Sequence, residues 1–187
     1  MTELGLRALE KLPRILTFEM RQDDPAKCTS AKMRKFGFSR GTRRESIPRD
    51  SIVLNPAGNT LVLRKDREIA QDHGLVVIDC SWNRAGPVFT QHFKGNQRKL
   101  PALLAGNPTN YSKLGSLSSL EAVAAALYIM GFKSYSERIL SIYKWGPTFL
   151  SLNRDALEDY FKANNIVEVL ELERAYFPES AQQFFKS

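Results

Sequence analysis

The sequence predicts an α/β protein, with a parallel sheet in the first half, to about residue 98, and mostly helices afterwards. Three observations carry this. Leu75-Val76-Val77-Ile78-Asp79 is a continuous aliphatic, largely β-branched run, the habit of a parallel strand covered on both faces. Just before it, Asp66 to Asp72 is helical in composition and stops at Gly74, so helix and strand alternate. From Ser118 the pattern changes: Ser118-Ser119-Leu120-Glu121 is a capping box, and it opens an almost wholly apolar run, Ala122 to Met130.

Taken in order, Ile15 to Met20 reads as a first strand, followed by the polar turn Arg21 to Pro25. Lys27 to Arg49 has no clear period and reads as an extended basic loop with one helical turn at most. Ser51 to Asn55 is a strand, Pro56 to Asn59 turns the chain, and Thr60 to Leu63 is another brief strand. After the central strand, Asn83 to Lys99 reads as a polar link and Leu100 to Pro108 as one more short buried strand ending in a loop. The helix beginning at Ser118 should be buried on nearly every side and close at Gly131. Further helices are expected around Tyr135 to Tyr143, Asn153 to Lys162 and Ile166 to Tyr176. The chain thus divides into residues 1–98 and 99–187, without an internal repeat.

The formal charge of +7 is uneven. Arg21 to Arg49 carries nine basic and three acidic residues, whereas Leu150 to Ser187 carries four basic and seven acidic ones. Charge gathered in this way suits a protein that meets a polyanion with one face; a solvated basic loop is the plainer alternative. Cys28 and Cys80 lack the spacing of a disulfide framework or a zinc site and are expected to be reduced thiols in a cytoplasmic protein. The amino terminus has no signal-peptide pattern, and no apolar run nears the roughly 20 residues of a membrane span. GxGxxG, GK[ST] and HExxH are all missing, and His73 and His92 have no metal-spaced partners, so no metal is expected.

Three segments can meet at the carboxyl ends of the strands, where open α/β sheets bind ligands. They are Leu54-Asn55-Pro56, Asp79-Cys80-Ser81-Trp82, and Leu100 through the start of the Ser118 helix. Together they offer an apolar slot, one carboxylate and free helix-end amides that favour an anion. A ligand with a flat base, a carboxylate and an amine suits them, and S-adenosylmethionine has all three. An Asp that caps a turn and a Trp that fills a core are the structural alternative.

Asp79-Cys80-Ser81-Trp82, Arg98-Lys99-Leu100-Pro101, Asn107-Pro108-Thr109-Asn110-Tyr111 and Leu117-Ser118-Ser119-Leu120-Glu121-Ala122 resemble the small-subunit ribosomal RNA aminocarboxypropyltransferases of archaea and eukaryotes. Asp23 to Thr29, Leu54-Asn55-Pro56, and Trp145-Gly146 with Phe149 and Asn153 match in the same order, so the resemblance spans about residues 15 to 165. It implies transfer of the 3-amino-3-carboxypropyl group of S-adenosylmethionine to N3 of a uridine-derived base, a (methyl)pseudouridine or uridine, in small-subunit rRNA. It also implies a fold similar to the knotted SPOUT-class RNA methyltransferases, with a deep trefoil knot, acting as a monomer on the rRNA or pre-ribosomal small subunit.

Carried over by position, the resemblance sets adenine against Leu54, Pro56, Trp82 and Ala122, with backbone groups of Leu100 and Gly115 at its edge and Leu117 as a further residue of the donor site. The Ile78 carbonyl would meet the ribose, and Thr29, Asp79 and Ser119 would hold the amino-carboxypropyl chain. Gly115 stands where relatives can carry a side chain, and Ser119 where Thr is expected. Asp79 is the candidate catalytic carboxylate, as anchor of the amine or as base. Lys27, Lys32, Arg34, Lys35, Arg40, Arg43 and Arg44 are the expected RNA contacts. Two rival functions are a methyltransferase of the same fold class and a noncatalytic ribosome-assembly RNA-binding protein.

Overall fold

The computed structural model of the chain describes residues 11–20, 28–79 and 93–178. Five strands form one parallel sheet: β1 (Ile15–Glu19), β2 (Ser39–Gly41), β3 (Ile52–Leu54), β4 (Leu75–Asp79) and β5 (Asn96–Arg98). Their order across the sheet is β2-β1-β4-β3-β5. β4 is central, pairing in register with β1 (Ile15 with Leu75 through Glu19 with Asp79) and with β3 (Ile52 with Leu75, Leu54 with Val77).

The aliphatic run of β4 is explained by its two faces. Leu75 and Val77 join the main core with Ile15, Ile52 and Leu54, while Val76 and Ile78 enter a second core with Ile47, Val53 and Phe93. Successive side chains of a strand point to opposite faces, so both must be apolar when both are covered. Each buried aliphatic side chain contributes about 1.5–3 kcal/mol.

Six helices accompany the sheet among the described residues: α1 (Thr29–Lys35), α2 (Arg67–His73), α3 (Ser119–Ile129), α4 (Lys133–Leu140), α5 (Gly146–Lys162) and α6 (Ile166–Tyr176). α3 packs against β4, α1, α4 and α5, and is buried from Leu120 to Ile129 except at Ala122. A helix enclosed on all sides has no use for a polar stripe, hence its near-uniform apolarity. Its predicted capping box is present: Ser118 Oγ accepts from the Glu121 amide, and the Glu121 carboxylate accepts from the Ser118 amide. Gly131, at φ +88°, turns the chain out of it.

Several expectations are corrected. The basic segment is not an extended loop: it holds α1, the edge strand β2 and a short 3-10 turn at Arg44–Ser46. The α1 signal is concealed because Cys28, an unusual cap, accepts from the Ala31 amide through its sulfur, and only Ser30 and Met33 are buried. Thr60 to Leu63 supplies a single bridge, Leu61 to Lys99, and not a strand. The polar link ends in β5, whose Asn96, Gln97 and Arg98 lie half-buried at the sheet edge and so show no apolar alternation. Leu100 to Pro108 is not a strand, apart from one bridge between Leu104 and Leu114. Its backbone groups bond to helix side chains instead: Ala102 N to Glu173 (2.6 Å), Leu104 N and O to Asn153 (2.8 Å each), and Ala102 O to the Tyr160 hydroxyl (3.1 Å).

Candidate functional site

β1 and β4 are neighbours whose following connections part: β1 leads to β2 at one edge, β4 to β5 at the other. A crevice at their carboxyl ends is therefore built into the topology. The paired residues at that point are Glu19 and Asp79.

Around them the sequence delivers two helix starts. From α1 and its cap, the Cys28 thiol donates to Asp79 Oδ2 (2.9 Å), and the Ser30 hydroxyl lies 2.6 Å from both Asp79 Oδ2 and Glu19 Oε1. From α3, the Ser119 hydroxyl donates to Asp79 Oδ1. The two helix starts are tied together where the Leu120 amide donates to Thr29 Oγ1 (3.3 Å). Arg34, one turn along α1 from Ser30, pairs with Glu19. Asp79 thus receives the Cys28 and Ser119 donors and shares the single Ser30 hydrogen with Glu19, out of roughly four acceptor positions. Burial first, and then the bond to Asp79, push the Cys28 thiol above its ordinary range, so it stays protonated at neutral pH.

The predicted apolar slot is drawn from the adjoining strand end and loops. Leu54 and Ile78 are buried, Leu100 and Ala122 half-buried, and Leu117 is 7% exposed, while Pro56 and Gly115 lie at the surface. Gly115, at φ +72°, donates its amide to Leu103 O (2.9 Å). Trp82 and Lys27 lie outside the described residues.

A buried carboxylate holds the slot's loop. Glu121 Oε1 accepts from the amides of Gly106 (2.7 Å) and Asn107 (2.9 Å). Its Oε2 accepts from the Ser118 amide (2.7 Å), the Ser118 hydroxyl (2.8 Å) and Asn107 Nδ2 (2.7 Å).

Of the basic candidates, Lys35, Arg40 and Arg43 are exposed, Arg44 lies over the Phe93 ring (5.0 Å), and Arg34 is engaged by Glu19. Lys32 turns inward, its Nζ 3.6 Å from the centroid of the Tyr143 ring. Glu19, Ser30 and Tyr143 were not found by residue reasoning. The in-register pairing with Asp79 is the signal that would have exposed Glu19.

Glu19, Cys28 and Asp79 each bring one potential metal-ligand atom within 4.8 Å of the others. The thiol among them is protonated and spent on Asp79, a poor state for a metal ligand. The set fits S-adenosylmethionine better: carboxylates for an ammonium, the start of α3 for a carboxylate, and an apolar slot for a base.

Residues 52–177 match the family model "Ribosome biogenesis protein, C-terminal". The 16S rRNA aminocarboxypropyltransferase of Vulcanisaeta distributa is 46% identical over 152 residues, covering 80% of this chain and 82% of that protein. That of Methanothermobacter thermautotrophicus is 42% identical, over 87% of this chain and 98% of its own. The solved structure of the SAM-dependent rRNA:acp-transferase Tsr3 from Vulcanisaeta distributa superposes with a TM-score of 0.77, at 40% identity, covering 88% of this chain and 97% of that one. The chain belongs to the small-subunit ribosomal RNA aminocarboxypropyltransferase family, enzymes of ribosome biogenesis.

Proposed function

We propose that the protein transfers the 3-amino-3-carboxypropyl group of S-adenosylmethionine to N3 of a uridine or (methyl)pseudouridine in small-subunit rRNA, releasing methylthioadenosine. The observation that carries the reading is the Asp79 carboxylate at the sheet's switch point, ringed by Cys28, Ser30 and Ser119 beside the start of α3. The donor supplies a carbon activated by its sulfonium sulfur. Asp79, with Thr29 and Ser119, holds the amino-carboxypropyl chain, and Leu54, Pro56, Leu117 and Ala122 enclose the adenine. Backbone groups of Leu100 and Gly115 read its edge, and the Ile78 carbonyl takes the ribose.

Asp79 serves as anchor and not as base. Cys28 and Ser119 donate to it and the single Ser30 hydrogen is shared with Glu19, which leaves room for one or two N–H groups of an ammonium, and a carboxylate paired in that way is a poor base. Trp82 covers the S-methyl, so the choice of transferred group rests on which carbon faces the RNA. Lys27, Lys35, Arg40, Arg43 and Arg44 contact phosphates, whereas Arg34 is already spent on Glu19. Residues 99–187 complete a donor site begun by residues 1–98, in a SPOUT-like chain with a trefoil knot that acts as a monomer in the cytoplasm.

The test compares calorimetric binding of S-adenosylmethionine and methylthioadenosine, which lacks the chain, with mass spectrometry of treated rRNA. Asp79→Asn should lose donor affinity and keep methylthioadenosine affinity. Intact donor affinity with a lost rate would make Asp79 the base. An added mass equal to a methyl group would identify a methyltransferase, and no added mass a binding protein.

A further inference from the structure

Lys32 differs from the exposed Lys35, Arg40 and Arg43 and from Arg34, which pairs with Glu19; Arg44 also meets a ring, that of Phe93, but of the two only Lys32 stands on α1 beside the Asp79 cluster. It is half-buried, its ammonium rests on the Tyr143 ring, and it has no carboxylate partner among the described residues. An ammonium needed only for RNA phosphates gains nothing from being drawn off the surface onto an aromatic face. Its place on α1 is also particular. Lys32 follows Thr29 by three residues, the spacing that puts side chains on one helix face, and Cys28 is the cap immediately before Thr29. Cys28 bonds to Asp79, and Thr29 bonds to the start of α3, so that face is the one turned to the donor chain. Burial pushes the Tyr143 phenol above its ordinary range. The phenol therefore stays neutral beside the lysine, and it packs against Trp145 with ring centroids 4.9 Å apart.

We infer that Lys32 is a catalytic residue for the acceptor, placed by Tyr143 to stabilise the anion of the uracil imide; this deepens the transferase reading above and rests on it. N3 of a uracil ring is a nucleophile only once its N–H is lost, and the resulting charge spreads onto the two flanking carbonyl oxygens. A fixed cation beside those oxygens favours deprotonation and holds the charge until the bond forms. The balance is simple. The N3 proton goes to solvent, the N3 electron pair forms the N–C bond to the methylene beside sulfur, and the breaking C–S bond returns its pair to sulfur. The leaving group is then a neutral thioether. Asp79 can remain an anchor, because no protein base has to be paired with the ammonium it holds.

The experiment measures single-turnover transfer at saturating rRNA fragment across pH, together with fragment affinity across salt in the absence of donor. Lys32→Ala should slow transfer at neutral pH by about 10²-fold. The deficit should shrink as pH rises and the imide ionises unaided. Fragment affinity should change less than twofold, with its salt slope intact. Lys32→Arg should keep part of the rate, and Tyr143→Ala, which frees the ammonium, should fall between Lys32→Ala and the wild type. If Lys32→Ala instead weakens RNA binding, lowers the salt slope by about one and leaves the saturated rate unchanged, Lys32 is a phosphate contact and the inference is overturned. If the wild-type protein binds RNA but neither binds S-adenosylmethionine nor modifies the RNA, the transferase reading itself fails and this one falls with it.

Discussion

Replacing Glu121 by Gln removes one charge and almost no volume, yet the pocket loop should loosen. The side chain is fully buried at 0% exposure, and both oxygens accept from fixed donors. A glutamine keeps one oxygen and must place its amide nitrogen where the other stood. Set at the Oε1 position, that nitrogen faces the backbone amides of Gly106 and Asn107, neither of which can rotate. Set at the Oε2 position, it faces the Ser118 amide and Asn107 Nδ2. The Ser118 hydroxyl can turn to accept, but flipping Asn107 would take its oxygen from the Asn110 amide (3.0 Å). Either way two buried N–H donors lose their partner, at about 1–3 kcal/mol each, or about 2–6 kcal/mol together. For a chain of this size that corresponds to a fall in melting temperature of roughly 4–24 °C. Because the loop carries Gly115 and Leu117, which we propose line the donor site, the Kd for S-adenosylmethionine should also rise by at least about tenfold. Thermal unfolding with and without donor, beside calorimetry, measures both. A melting temperature within about 2 °C of wild type and an unchanged Kd would refute the reasoning.

Cys28 should alkylate slowly at pH 8 and speed up only well above it, because burial and Asp79 hold its thiol protonated; peptide mass mapping in a Cys80→Ser background reads this, and alkylation as fast as a free thiol at pH 8 would contradict it. Burial lifts the Glu173 carboxyl above the ordinary Glu range, even though the Ala102 amide opposes that shift. Below the ordinary value folded and unfolded chains are both protonated; above it the unfolded chain loses the proton first. Stability should therefore fall as pH rises from the ordinary value through the raised one. Glu173→Gln should remove that slope from urea midpoints, and an unchanged slope would reject it. In Gly146→Ala the new methyl would lie 1.9 Å from Leu140 O. The start of α5 has to shift, at about 3 kcal/mol or more, and an unperturbed chemical-denaturation curve would be the contrary result.

What the sequence disclosed follows from where physics leaves a local mark. β4 was legible because covering both faces demands an unbroken aliphatic run, and α3 because a capping box and total burial write themselves into adjacent residues. β5 and β2 were illegible, since an edge strand of Asn, Gln, Arg or Ser, Arg, Gly is held by ladder bonds to a neighbour distant in sequence. The false strand at Leu100 to Pro108 shows the converse: Pro101, Leu103 and Ala105 are buried, but its backbone partners are Asn153, Tyr160 and Glu173, which no window around residue 104 contains. At the candidate site, Asp79 and Ser119 were singled out as residues and found joined in space. Glu19 was missed because its importance comes only from its register with Asp79.

Asn153, Tyr160 and Glu173 reach back to the segment before the pocket, so the wall we propose for the adenine is fastened from behind by α5 and α6. Filling the slot should be felt at the far end of the chain. Amides around Val169 to Glu173, remote from any ligand contact, should exchange more slowly when the donor is bound, as openings that release the wall become rarer. The last two helices act as the pocket's hinge pins, and their loosening would register first as weaker donor binding, before any loss of helix.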